Sequence, residues 1–181
     1  MGSEMCIRDR DIVTDESGNE VVLLPEIIFS NKQNINWNDV EDYLGKYVGE
    51  LIEIAETRDI IYIGNKFPDE YGGSSYTRKT KGARAKAKAN AAQGIREMVE
   101  IATDKVYREN HKEKHSEDAH NGWFYYVTRF AIPLYNNEKK TGEYNVYSAC
   151  LVVNHAANGK MYLYDVVGIK KEASNPLKTI K

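Results

Sequence analysis

The chain has 181 residues, 41% hydrophobic and 29% charged, with a formal net charge of −2. That length suits one domain plus a tail, and that composition excludes wholesale disorder. It also excludes a polycation, so any nucleic-acid site must be a local patch. No apolar run approaches the roughly 18 residues that a spanning helix needs.

The first ten residues read MGSEMCIRDR and lack the charged-then-apolar pattern of a signal peptide. The part MCIRDR resembles the translated read-through of a sequencing adapter, common in assembled environmental sequences. It is therefore expected to be non-native, with the natural protein a longer chain. Residues 11–20 are polar, carry a Ser17-Gly18-Asn19 turn signal, and are expected to be a flexible lead-in. Residues 1–20 are thus set apart from a single α+β domain over 21–181. The two cysteines, Cys6 and Cys150, suggest a reducing compartment and hence a cytoplasmic protein.

Short strands are predicted over 21–24 and 26–29. Asn36 looks like an N-cap for a helix over 37–47, with Asp39, Glu41 and Asp42 in its first turns. The β-rich runs 51–55 and 60–63 are joined by the polar Glu56-Thr57-Arg58-Asp59, which predicts a hairpin. Residues 64–80 hold Pro68, Gly72, Gly73, Ser74 and Ser75 and are expected to form a loop. A long helix is predicted over 81–107. Its buried face would carry Ala83, Ala87, Ala91, Ile95, Met98, Val99, Ala102 and Val106, spaced by three and four. Gly94 interrupts it and would let another element approach. After a polar loop over 108–122 come strand-like runs at 123–135, 144–154 and 160–170. Their connections carry Asn136-Asn137 with Gly142, and Asn158-Gly159. The expected architecture is α+β: an N-terminal helix and hairpin, then the long helix packed on an antiparallel meander.

Four features could carry chemistry. Arg78, Lys79, Lys81, Arg84, Lys86 and Lys88 fall within 11 residues, inside an acid-free window from Tyr71 to Arg96. On a helix Lys81, Arg84 and Lys88 would share one face, and phosphate is the natural partner of such a run; a merely solvated face is the alternative. The preceding Asp69-Glu70-Tyr71-Gly72-Gly73-Ser74-Ser75-Tyr76-Thr77 combines carboxylates, hydroxyls and rings. It lacks the Gly-Lys-Ser/Thr of an NTPase loop. Three of the four histidines, His111, His115 and His120, lie within ten residues and could exchange protons near neutral pH. His111 and His115 have the spacing of a helical zinc pair, but no Glu follows the first and no cysteine is near. No metal or other cofactor is expected. Finally, Arg129 would share a largely apolar strand face with Trp123, Tyr125 and Val127. Such an arginine pairs with an acid or faces a ligand, and Asp165 is a candidate partner.

These motifs resemble a known group when taken together. They are Glu70-Tyr71 with Ser74, Tyr76 and Thr77; the run Lys86-Ala87-Lys88-Ala89-Asn90-Ala91-Ala92; Lys114-His115; Gly122-Trp123; Arg129-Phe130-Ala131 with Pro133; Tyr162-Leu163-Tyr164-Asp165; and Ile169-Lys170-Lys171-Glu172 with Pro176-Leu177. Over roughly residues 28–178 the chain is similar to domains embedded in large polyvalent proteins of phages and conjugative elements. These are the third large-polyvalent-protein-associated domain and the phage barnase–EndoU–colicin E5/D–RelE-like nucleases. The resemblance implies helices before a four-stranded antiparallel sheet, a toxin-like action on RNA, and other domains of a polyvalent protein as partners. Carried onto this sequence, it points to metal-independent RNA cleavage. His115 would be the acid or base, Arg129 would stabilise the transition state, and Glu70 would be a second acid or base. Arg84, Lys86 and Lys88 would hold the backbone, and Tyr76 or Tyr126 would stack on a base. The alternative is a non-catalytic module that binds nucleic acid or protein.

Overall fold

Two long alternating stretches, joined by a tight turn, make the centre of the molecule a hairpin. In the computed structural model, which describes residues 11–30, 34–110, 119–172 and 176–178, β6 (Trp123–Asn136) pairs antiparallel with β7 (Lys139–His155). Asn137 and Glu138 both take positive φ, at 50° and 69°, as a two-residue hairpin turn requires. The turn is therefore tighter than expected, and Gly142 lies inside β7 rather than in the connection. β8 (Met161–Lys171) adds antiparallel to β7 across the Asn158-Gly159 turn, where Gly159 takes φ +85°. Met1 to Arg10, His111 and His115 lie outside the described residues.

Two N-terminal hairpins flank this meander. The first is β1 (Asp11–Thr14) with β2 (Glu20–Leu23), and β2 joins β6 in parallel. Residues 11–20 are thus not a lead-in but a strand and its turn. The Asp15 carboxylate accepts from the N–H groups of Ser17 and Asn19. The second is β3 (Leu51–Glu53) with β4 (Ile60–Tyr62), and β4 joins β8 in parallel. The strand order is β1-β2-β6-β7-β8-β4-β3. β5 (Thr103–Arg108) pairs with the start of β6, and β9 (Leu177–Lys178) with β7. The fold is α+β, but its sheet is mixed.

The helices differ most from expectation. Helix α1 (Trp37–Leu44) runs on into a 3-10 turn (Gly45–Tyr47), as predicted. Asn36 caps it by accepting from the Asn38 N–H, and Val40 and Leu44 are buried. Residues 64–80 are not a loop. They hold α2 (Phe67–Gly73) and α3 (Ser75–Lys79). The turn formers act as helix ends: Pro68 sits in the first turn of α2, and Ser74 caps α3 by accepting from the Thr77 N–H. The long helix is three shorter pieces. They are α4 (Ala83–Ala91), a 3-10 turn (Ala92–Gly94) and α5 (Ile95–Glu100). Residues 103–108 become β5 because β6 offers them a ladder, so Val106 is exposed and not on a buried helix face. Ala83 is exposed as well. Residues 26–29 form no strand. Their backbone is satisfied from the helices instead: Asn90 accepts from the N–H groups of Ile28 and Phe29 and donates to the Phe29 carbonyl, and Gln93 donates to the Glu26 carbonyl.

The buried apolar side chains of the helices fall in one cluster with Val22, Tyr126, Phe130, Leu151, Val153, Leu163 and Ile169 of the sheet. Gly94 permits the close approach foreseen for it, since a Cβ there would meet Leu24 at 3.0 Å and Val22 at 3.1 Å. The other sheet face carries two small clusters, one around Val21, Leu23 and Ala131 and one around Ala119, Trp123 and Val152. Among the described residues, no helix is long and apolar enough to cross a membrane.

Candidate nucleic-acid interface

The basic run divides where α4 enters the core. Arg78 and Lys79 end α3, Lys81 lies in the connection, and Arg84 is in the first turn of α4; all four are exposed. None of the four makes a hydrogen bond or ion pair through its side chain with another described residue. Lys86 is half-buried. Lys88 is fully buried, so it is not the phosphate contact expected of it. Arg84 and Lys88 do share one side of α4, but the helix turns from exposed to buried between them.

Lys88 anchors a buried polar cluster instead. Its Nζ donates to Asp165 Oδ1 at 2.7 Å and to Thr77 Oγ1 at 2.6 Å. The Tyr71 and Tyr76 rings face the ammonium at 4.6 and 5.0 Å. The Tyr71 hydroxyl donates to the Lys88 carbonyl. Burial pushes the Lys88 pKa down and the Asp165 pKa up, while each charge favours the other. The cluster ties α2, α3, α4 and β8 together. The fully satisfied pair fixes this arrangement because a buried charge is tolerable only when paired.

The same cluster seats the exposed cations at the sheet edge. β4 pairs with β8 only at Ile61–Met161 and Tyr62–Tyr162, so the second half of β8 has an edge free of strands. α3 reaches that edge through Tyr76, whose hydroxyl accepts from the Ile169 N–H at 2.9 Å. Tyr76 is therefore an anchor and not a free stacking platform. Lys170 and Lys171 follow Ile169 and are exposed. They alternate across the sheet, with Lys170 opposite Ser148 and Lys171 opposite Tyr147. Tyr76 thus brings α3, which ends in Arg78 and Lys79, to the strand end that carries Lys170 and Lys171.

Of the expected catalytic set, the described members Arg129 and Glu70 lie on different faces of the sheet. Thr128 and Phe130 face the helices, where Thr128 donates to the Met98 carbonyl. Arg129 points to the other side and pairs with Glu172 at 2.9 Å. Asp165, its suggested partner, belongs to Lys88 on the helix side. Register shifts in β8 also carry Val167 to the face opposite Leu163 and Ile169. Glu70 lies on α2, which packs against β8 on the helix side of the sheet. His115 is outside the described residues. His120 is exposed, and the His155 ring packs 5.5 Å from Phe124.

Tyr126 is also occupied. It is fully buried and donates to Asp59 Oδ2 at 2.7 Å, which takes it off the stacking surface. Burial and the Asp59 hydrogen bond push its pKa up. Asp59 also accepts from Thr57 at 2.7 Å and pairs with Lys105 at 2.9 Å. On the face away from the helices, Tyr125 is half-buried with the Arg108 guanidinium 5.7 Å from its ring centre.

Sequence reasoning missed two things. Lys170 and Lys171 were visible as a doublet closing a strand, but only the fold brings α3 to that strand end through Tyr76. The role of Lys88 had a fainter signal: it stands among Ala85, Ala87, Ala89 and Ala91, a composition for close helix packing. No family model matches the chain, and neither the curated proteins nor the solved structures give a significant match.

Proposed function

We propose that the chain is a nucleic-acid-binding module that takes the phosphate backbone of RNA across the β8 end. One observation carries this reading: four neighbouring exposed cations without carboxylate partners among the described residues, extended by Lys170 and Lys171, in a chain of net charge −2. Unpaired cations release condensed counterions when phosphates replace them, and that release drives binding. The resemblance to domains of phage and conjugative-element polyvalent proteins supports RNA as the target. Binding is preferred to cleavage because Glu70 and Arg129 sit on opposite sides of the sheet and Arg129 is neutralised by Glu172.

The test is the affinity of the full chain for a labelled oligouridylate between about 50 and 200 mM salt. A single strand gives a slope of about −0.7 in log K against log salt for each neutralised phosphate. Arg78→Glu with Lys79→Glu should weaken binding and flatten the slope by more than one unit. Undetectable or salt-independent binding would refute the module. Turnover of the RNA in EDTA, lost in His115→Ala, would replace binding with cleavage.

A further inference from the structure

β4 lies beside β8 for only two residue pairs and then turns away through Gly64 into α2. Where a longer strand would have filled the space, a crevice of about 330 Å³ opens. That volume is at the lower end of small-ligand sites. Its apolar wall is Phe67 and Leu163, and its polar wall includes Asn65, Glu70, Asn154 and Asn158. Two tyrosines, Tyr162 and Tyr164, complete it.

The rings are held in place. A Cβ on Gly64 would come within 3.3 Å of the Tyr162 ring, so glycine lets that ring lie against the backbone. Tyr162 also packs on Tyr62 at 5.7 Å, and Tyr164 meets Trp123 edge-on at 4.9 Å. The Glu70 carboxylate, by contrast, is held only loosely, by the attraction of its charge to the buried Lys88 ammonium. It is half-buried, lines the crevice, and makes no hydrogen bond or ion pair among the described residues. The side chain of Asn65 likewise makes no hydrogen bond among the described residues.

We propose that this crevice binds the guanine base of a nucleotide. A carboxylate offers two acceptor oxygens side by side. Guanine alone among the four RNA bases presents two adjacent donors, N1–H and the N2 amino group, on one edge. Adenine and cytosine set an amino donor beside a ring-nitrogen acceptor, and uracil sets one N–H between two carbonyls. The Asn65 amide can donate to the guanine O6, and tyrosine faces supply stacking. A simple amine would also satisfy Glu70. However, Lys160 stands beside the crevice, 4.9 Å from the Tyr62 ring centre. That surrounding charge favours a ligand that brings a phosphate. The choice of a nucleotide rests on the nucleic-acid reading above, while the site itself is separate from the exposed cations of that reading.

The experiment titrates the full chain with GMP, AMP, CMP and UMP, followed by calorimetry and tyrosine fluorescence. GMP should bind at least about tenfold more tightly than the other three. Glu70→Gln should lower GMP affinity by about ten- to hundredfold, the range for losing a bidentate base contact. It should lower the melting temperature only slightly, because the Glu70 side chain makes no hydrogen bond among the described residues and only its charge favours the buried Lys88 ammonium. Oligouridylate has no guanine and reads the exposed cations, so its binding should not change in Glu70→Gln. Equal binding of all four nucleotides, no binding of GMP, or full GMP affinity in Glu70→Gln would each overturn the proposal. GMP binding without oligouridylate binding would uphold the crevice and refute the cationic interface.

Discussion

Replacing Asp165 with alanine isolates one charge in the interior. Lys88 has a side-chain exposure of 0% and Asp165 of 4%. Without the carboxylate, the ammonium keeps Thr77 Oγ1 at 2.6 Å and the two tyrosine faces, none of which carries a formal charge. Breaking a buried pair in this way costs about 3–5 kcal/mol. A domain of this size loses about 2–4 °C of melting temperature per kcal/mol, which gives a fall of about 6–20 °C. The double variant Lys88→Met with Asp165→Leu removes both charges and should recover most of that loss. Urea unfolding followed by tryptophan fluorescence measures both effects, with the coupling obtained from the cycle. The pH dependence of Asp165→Ala has a definite sign. Burial holds the remaining Lys88 below its ordinary pKa, so the folded state binds fewer protons than the unfolded one and stability rises with pH. The deficit should therefore shrink as pH climbs toward the ordinary lysine value. An Asp165→Ala cost below about 1 kcal/mol, or a double variant no better than the sum of the singles, would refute a buried, coupled pair.

Asp59 should show the opposite dependence. Its burial raises the pKa, but hydrogen bonds from Lys105, Thr57 and Tyr126 outweigh that and leave the carboxyl below its ordinary value. Its contribution is therefore complete above the unfolded carboxylate pKa and is lost as pH falls through the folded one. Asp59→Asn should cost about 1–2 kcal/mol at pH 7 and nothing at the acid end, as melting curves across pH would reveal. Gly122 takes φ +99°, and a Cβ there would meet Tyr107 at 2.7 Å and the Arg108 carbonyl at 2.8 Å. Gly122→Ala should destabilise by about 1–3 kcal/mol, and no loss would mean that the turn relaxes freely. Charge reversal at Lys170 and Lys171 should flatten the salt dependence of oligouridylate binding as reversal at Arg78 and Lys79 does. An unchanged slope would remove β8 from the cationic interface.

Parts of this architecture were legible because they depend on local signals. Asn36 announced α1, Asn158-Gly159 marked the last turn, and the alternation from Trp123 onward marked β6. The helix beyond Ala102 was not legible. Residues 103–108 carry no helix stop of their own, and their strand exists because the start of β6 is free to pair with them. Residues 67–79 misled for a different reason. Pro, Gly and Ser mark loops and helix ends alike, and only burial of Phe67 and Tyr71 in the core decides for helix.

For the candidate site, the amino-acid sequence alone determined that cations are concentrated between Arg78 and Lys88 without an acid among them. It could not say which of them meet solvent, because charge is a property of a residue and exposure is a property of its neighbours. Tertiary structure buried Lys88 against Asp165, 77 positions away, and left Arg78, Lys79, Lys81 and Arg84 outside. It also sent Arg129 and Glu70 to opposite sides of the sheet. Such long-range placements follow from which strand edges pair and which helix faces are covered, and those are settled only when the whole chain packs at once.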